Sequence, residues 1–344
     1  MHNIICLLRC TSRRYAEKFC NEGSIKFNTP YSWVEYENKN GKGRGDLLEG
    51  VFASMHTDCY KYDTTSLALI NNLRNNIKGK TIKDRTYFRS DDIIYLPCYC
   101  LFGINSKDFS KVETDEKGLK HHMITIGNEY FRDFSDSKTK ASLKEEQPVL
   151  IMITKPNKFF NRLINHLTEL GVKKEEILIS PVEYINKNED FYLSKSMPYE
   201  LFLKDKSFNH QREIRVVINT KNEDIKRYLS ETPINIGSLN DIARIEEYYY
   251  DIDMIIEKQG NSLIYNLSEP KLSAIADGSI EYLMGLLLQI VHSNLGEWGI
   301  KTEEDRENIT KYIERVLSEK HNISVSWRGK YIEGFISHGI DLNL

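Results

Sequence analysis

The segment Glu213-Ile214-Arg215-Val216-Val217-Ile218 constrains the fold most, because it sets a carboxylate and a guanidinium two residues apart inside an apolar run. Alternation of Ile214, Val216 and Ile218 with Arg215 and Val217 predicts a strand over 213–219 with one packed face. Glu213 and Arg215 then project to the same side of that strand and reach one pocket. Burying a carboxylate is costly unless it is paired or functional. The pair is therefore either a structural ion pair at a sheet edge or part of a site.

The remaining pattern predicts short strands with few helices. Strands are expected at residues 3–9, 24–28, 147–153 and 177–184, with a short helix from the cap pair Thr11-Ser12 to Cys20, ended by Gly23. Residues 64–92 read as helix then loop. The apolar run 93–102 contains Pro97, which lacks a ladder N–H, so an edge strand or extended wall is expected there. An amphipathic helix over 157–170 carries Phe160, Leu163, Leu167 and Leu170 on one face. Residues 246–266 read as a hairpin turning at Gly260-Asn261. After Pro270 come helices at 279–293 and 302–320, then a short tail with Trp327. The expected architecture is α+β with mixed, mainly antiparallel sheets over 1–267 and a C-terminal helical region over 268–344.

With 344 residues, 40% hydrophobic and 28% charged, the chain is compositionally globular, which excludes disorder and fibrous repeats. Lys+Arg 47 against Asp+Glu 50 leaves no global basic field, so nucleic acid would have to be held by a local patch. The N-terminal apolar stretch ends at Arg9, and the run 280–291 is short and interrupted, so no membrane segment is expected. None of the six cysteines forms a C-x-x-C pair. They read as reduced thiols of a cytoplasmic protein, without a metal site.

Two further constellations bear on chemistry. Arg44, in Gly43-Arg44-Gly45-Asp46-Leu47-Leu48-Glu49-Gly50, presents a forked donor on an accessible backbone, suited to phosphate or carboxylate. Arg9, Thr11, Arg13 and Arg14 lie close before Tyr31 and Trp33, whose faces suit a flat ring such as nicotinamide or a base. A solvated loop and a plain aromatic core are the bland alternatives. His121 and His122 are neighbours that point apart on a strand, and no dinucleotide, Walker, zinc-protease or serine-hydrolase motif occurs.

The pieces Gly23-Ser24-Ile25-Lys26-Phe27, Arg44-Gly45-Asp46 with Glu49-Gly50, Cys98-Tyr99-Cys100-Leu101-Phe102, Val182-Glu183-Tyr184, and Lys204 with Phe208 and Gln211-Arg212-Glu213-Ile214-Arg215 together resemble the bacterial domain of unknown function twenty-nine seventy-one. Gln211 stands where that family commonly has an acid. The same order is similar to the DNA ADP-ribosyltransferase toxins of toxin–antitoxin and phage-defence modules, on Thr11, Arg44, Leu96-Pro97-Cys98-Tyr99 and Glu213. Cys10 or Arg9 stands where those toxins have a histidine, and 103–200 does not align. The resemblance implies an ADP-ribosyltransferase-like fold and NAD as substrate. It makes Glu213 and Arg44 catalytic, and Thr11, Tyr31, Trp33, Gln211 and Arg215 cofactor-binding. It further implies a nucleic-acid or protein acceptor and an antitoxin or defence-system partner. Glu213→Ala is then expected to abolish activity while leaving the fold intact.

Two rivals remain at this stage. A metal-dependent nuclease would use Asp46 or Glu49 with Glu213-Ile214-Arg215, although Arg replaces the compact lysine such cores use. A non-enzymatic sensor would bind a partner through its C-terminal helices, where Leu283, Leu287 and Ile290 form a stripe.

Overall fold

The computed structural model describes residues 4–40, 46–58, 76–109, 111–114, 118, 120–126, 148–193, 198–247, 254–259, 262–267, 283–284, 287, 303–328, 331–336 and 341–342. In chain order the first part runs β1 (Ile4–Ser12), α1 (Arg13–Glu22), β2 (Ser24–Ile25), α2 (Pro30–Asn40), β3 (Val51–His56), β4 (Ile77–Ile82), β5 (Arg85–Ser90) and β6 (Cys98–Asn105). Then come β7 (Lys111–Thr114), β8 (Lys120–Ile126), β9 (Pro148–Ile153), α3 (Pro156–Glu169), β10 (Ile177–Pro181), β11 (Glu183–Ile185), β12 (Phe191–Tyr192), β13 (Leu203–Asp205) and β14 (Glu213–Ile218). The last elements are α4 (Glu223–Glu231), β15 (Ile234–Asn235), β16 (Ala243–Glu247), β17 (Met254–Gln259), β18 (Ser262–Leu267), α5 (Glu303–His321), β19 (Ile323–Arg328), β20 (Tyr331–Ile336) and β21 (Asp341–Leu342).

Contacts divide the chain into a unit of Met1–Asp108 with Tyr130–Tyr248 and a unit of Phe109–Glu129 with Tyr249–Leu344. This differs from a single cut at 268. The cause is pairing: β8, from the middle of the chain, forms a ladder with β17.

The first unit is built on a six-stranded antiparallel sheet, ordered β10-β14-β6-β1-β9-β16. One face is covered by Ala16, Phe19 and Cys20 of α1, by Phe159, Phe160, Leu163 and Leu167 of α3, and by Leu229 of α4. Against them stand Leu7, Tyr99, Leu101, Val149, Ile151, Ile214, Val216 and Ile218 of the sheet. Helix α3 forms where the apolar spacing predicts it, with Pro156 pre-set at its first turn. Helix α1 ends at Gly23 (φ 65°), where an added Cβ would lie 2.3 Å from the Gly237 carbonyl oxygen. The other face buries Cys98 and Val217 under Ile93, Ile94, Leu96, Leu201 and Phe202. A smaller antiparallel sheet, β12-β3-β5-β4, completes the main framework of this unit.

Several expectations change. Pro97 lies one residue before β6, so the strand keeps its ladder and runs in the sheet interior between β1 and β14. Residues 76–92 carry the β4–β5 hairpin instead of helix and loop. Strand β14 is buried along its whole length, with partners on both sides, so it is not an edge strand with one packed face. Ser12 precedes α1 without a side-chain cap, because Thr11 and Ser12 belong to β1.

The second unit contains the antiparallel sheet β18-β17-β8-β7, helix α5 and the hairpin β19–β20 with β21. The tail around Trp327 is thus a strand. The expected turn at Gly260-Asn261 and most of 279–293 lie outside the described residues, although Leu283 and Leu287 are helical and buried.

Candidate functional site: a buried ion quartet at the opening of β14

Strand alternation sends Glu213, Arg215 and Val217 to the face opposite the three helices, beside Phe102, Cys100 and Cys98 of β6. Arg215 is 0% exposed and all five of its N–H donors are used. Its Nε and Nη2 donate to Glu213 Oε1 at 3.0 and 2.8 Å. Its Nη1 and Nη2 donate to Glu49 Oε2 and Oε1 at 2.9 and 3.1 Å, a bidentate pair, and Nη1 also donates to the Leu201 carbonyl. The Trp33 ring covers this guanidinium, with Cζ 5.0 Å from the centroid.

Lys204, on β13, closes the quartet from the other side. Its Nζ donates to Glu213 Oε2 at 3.2 Å and to Gln211 Oε1 at 2.6 Å, and lies 3.9 Å from Glu49 Oε1. Two carboxylates face two cations, so the buried quartet is neutral as a group. A second buried pair adjoins it: Lys187 Nζ donates to Asp46 Oδ2 at 3.1 Å and to the Leu48 carbonyl at 2.7 Å. Asp46 and Glu49 thus pin both ends of one turn. Tyr184 Oη accepts the Glu213 backbone N–H at 2.8 Å.

Burial alone would raise the Glu213 carboxyl, but Arg215 and Lys204 overcome it and hold the group at about 2. For Lys204 burial favours the neutral amine, and Glu213 and Glu49 reverse this, leaving its pKa raised. Burial pushes the thiols of Cys98 and Cys100 up, with Glu213 adding to the effect on each. Burial also raises the Tyr184 hydroxyl to about 12.

These directions limit the chemistry. A carboxyl titrating near 2 is a weak base at neutral pH and cannot act as general acid there. Lys204 remains an ammonium and the two thiols remain protonated, so none is a ready nucleophile. What remains is a carboxylate held ionised by two cations, inside a cluster that is neutral as a group.

The sequence-predicted residues divide sharply. Glu213, Arg215, Gln211 and Trp33 come together here. Thr11 stands on β1 opposite Val149, on the helix-covered face, because it is an even number of residues from Leu7. Tyr31 is 38% exposed, donates its hydroxyl to Glu35 at 2.8 Å and packs on Tyr95 at 5.1 Å. Its ring is committed to that tyrosine pair at the surface. Arg44 lies outside the described residues. Arg215 is placed to hold carboxylates, with no N–H donor left over for a ligand phosphate.

Sequence reasoning set Glu49 beside Glu213 only in the nuclease alternative and Lys204 only in the family-like pattern, and did not join either to the Glu213–Arg215 pair. The signal was the same one that singled out Glu213: a charge set in an apolar stretch, Leu201-Phe202-Leu203-Lys204 and Leu47-Leu48-Glu49. His121 and His122 lie on β8 in the second unit, where His121 is hydrogen-bonded to Glu257. Among the described residues, no three His, Cys, Asp or Glu are grouped to hold a metal ion, and no helix is long and apolar enough to cross a membrane. No family model, no curated protein and no solved structure matches the chain.

Proposed function

We propose that the chain is an NAD-consuming effector of the ADP-ribosyltransferase-like type, with Glu213 as the carboxylate of the reaction. The observation that supports this reading is a carboxylate whose neighbours Arg215 and Lys204 favour its ionised form, at the first residue of an interior antiparallel strand, with Gln211 on the same ammonium. When the glycosidic bond of NAD breaks, nicotinamide leaves with the bonding electron pair and the ribose becomes cationic. A fixed carboxylate favours that state and accepts a hydrogen bond from a ribose hydroxyl. Gln211 would contribute a polar contact and Trp33 a flanking aromatic wall. Arg44 would neutralise the pyrophosphate from its glycine-rich segment. The acceptor, nucleic acid or protein, and a setting with an antitoxin or in phage defence follow from the sequence resemblance alone. A cytoplasmic location follows from the reading of the cysteines as reduced.

The nuclease alternative needs Glu49 and Glu213 open to a divalent cation, whereas Arg215 already bridges them and Lys204 sits beside both. The purely structural alternative has an observation in its favour, the complete burial and saturation of Arg215. In it the quartet locks β14 to the turn before β3 and binds nothing.

Mass spectrometry of nicotinamide release decides between them. Wild type and Glu213→Gln are incubated with NAD, alone and with single-stranded DNA, RNA or cell lysate, and each protein's melting curve is recorded. Release that disappears in a folded Glu213→Gln supports the proposal. No release by wild type under any condition leaves the quartet as a structural lock.

A further inference from the structure

Arg212 is one of four described non-glycine residues with positive φ, and it separates the two side chains that meet at Lys204. It closes the 3₁₀ turn Lys206–Gln211 in the left-handed region, at φ 38° and ψ 48°. An arginine has no intrinsic preference for that conformation, so surrounding contacts must impose it. Three are present. The Arg212 guanidinium is ion-paired with Asp108, the last residue of the 3₁₀ turn after β6. The same guanidinium lies 5.9 Å from the Phe102 ring centroid. The Arg212 carbonyl accepts the Gly103 N–H at 2.9 Å. Asp108 is itself fixed, since its Oδ2 accepts the Asn105 N–H at 2.6 Å.

The consequence is directional. In an unbroken strand, Gln211 and Glu213 would stand two residues apart with parallel side chains. The left-handed residue between them turns the chain instead, and Gln211 Oε1 and Glu213 Oε2 both accept from one ammonium, at 2.6 and 3.2 Å. We propose that Arg212, held left-handed and tied to Asp108, is a positioning residue that makes Gln211 and Glu213 converge on Lys204. Its importance for activity rests on the NAD reading above, but its effect on Glu213 does not. Released from Asp108, the start of β14 relaxes, Lys204 loses Gln211 and its hold on Glu213 weakens.

The test reads the Glu213 carboxyl directly by carbon-detected NMR titration of selectively labelled protein without NAD. It compares wild type, Asp108→Asn, Arg212→Gly and Arg212→Lys, each checked by thermal melt. Arg212→Gly keeps the left-handed backbone but removes the tether, and Arg212→Lys keeps a cation for Asp108. The expected result is an upward shift of the Glu213 titration by about one unit in Asp108→Asn and Arg212→Gly, with Arg212→Lys close to wild type. An unchanged titration in the folded Asp108→Asn and Arg212→Gly proteins overturns the proposal. If wild type releases no nicotinamide, the NAD reading fails while the titration still decides this one.

Discussion

Arg215 and Glu49 form a bidentate pair at 2.9 and 3.1 Å although 166 residues separate them, and neither side chain is more than 1% exposed. In so dry a setting the attraction is strong, but each partner left alone would be a bare charge in an apolar interior. The quartet is best understood as a unit that is costly to break from either side.

Glu213→Ala therefore does more than remove a carboxylate. It strands Lys204 and Arg215 with half of their counter-charge, and should lower unfolding free energy by about 3–5 kcal/mol in urea titration. A variant as stable as wild type would show that Glu213 does not hold the fold. The sequence-based expectation of an intact fold thus yields to the burial of the quartet, and for that reason the isosteric Glu213→Gln is the variant to assay for activity.

Arg215→Lys keeps the charge but offers three donors to acceptors that now receive five N–H bonds. At least two of those bonds are lost inside the core. A loss of about 2–4 kcal/mol in the same titration is expected, and a change below the error of the measurement would contradict the bonding described.

The pH profile of stability should have a broad plateau. Glu213 titrates at about 2 when folded against 4.5 otherwise, so its contribution is present above 4.5 and is lost as pH falls towards 2. Tyr184 is raised from 10.0 to about 12, so the unfolded chain gains by ionising it first and stability falls between those values. Lys204 acts in the same alkaline direction, because its ammonium is favoured by the fold. Thermal melts from pH 2 to 12 check all three, and melting points that rise on acidification below 4.5 would refute the assignment of Glu213.

Gly23→Ala should destabilise by about 2–4 kcal/mol, combining left-handed strain with a Cβ forced against the Gly237 carbonyl. Gly237, also at positive φ but with nothing within 4 Å of its added Cβ, should lose less when changed to Ala. Equal losses at the two sites would show that contact contributes nothing.

Local pattern carried much of the fold. Helix α3 and strands β9 and β14 form where apolar spacing places them, since each buries a continuous apolar face. Pro97 misled because its missing N–H matters only inside a ladder, and the ladder begins at Cys98. At the site, the i, i+2 relation of Glu213 and Arg215 was legible because a strand's pleat fixes it. The approach of Glu49 and Lys204 was not, because it brings together the turn before β3, strand β13 and strand β14, which no local spacing encodes. Thr11 and Tyr31 shared a composition with a ring-binding site but not a direction.

Strand β1 holds an interior place in the six-stranded sheet, with β6 on one side and β9 on the other. Both partners follow β1 in the chain, so it must wait for residues near 100 before gaining one neighbour and near 150 before gaining the second. Until then Ile4-Ile5-Cys6-Leu7-Leu8 leaves the ribosome with two open edges and apolar side chains to either side. Closing loops of that length before any ladder is rewarded makes for slow folding and a long interval of exposure to wrong partners. A holding chaperone in vivo, or low protein concentration in vitro, should raise the yield of this chain more than it would for a protein whose sheet grows from one edge.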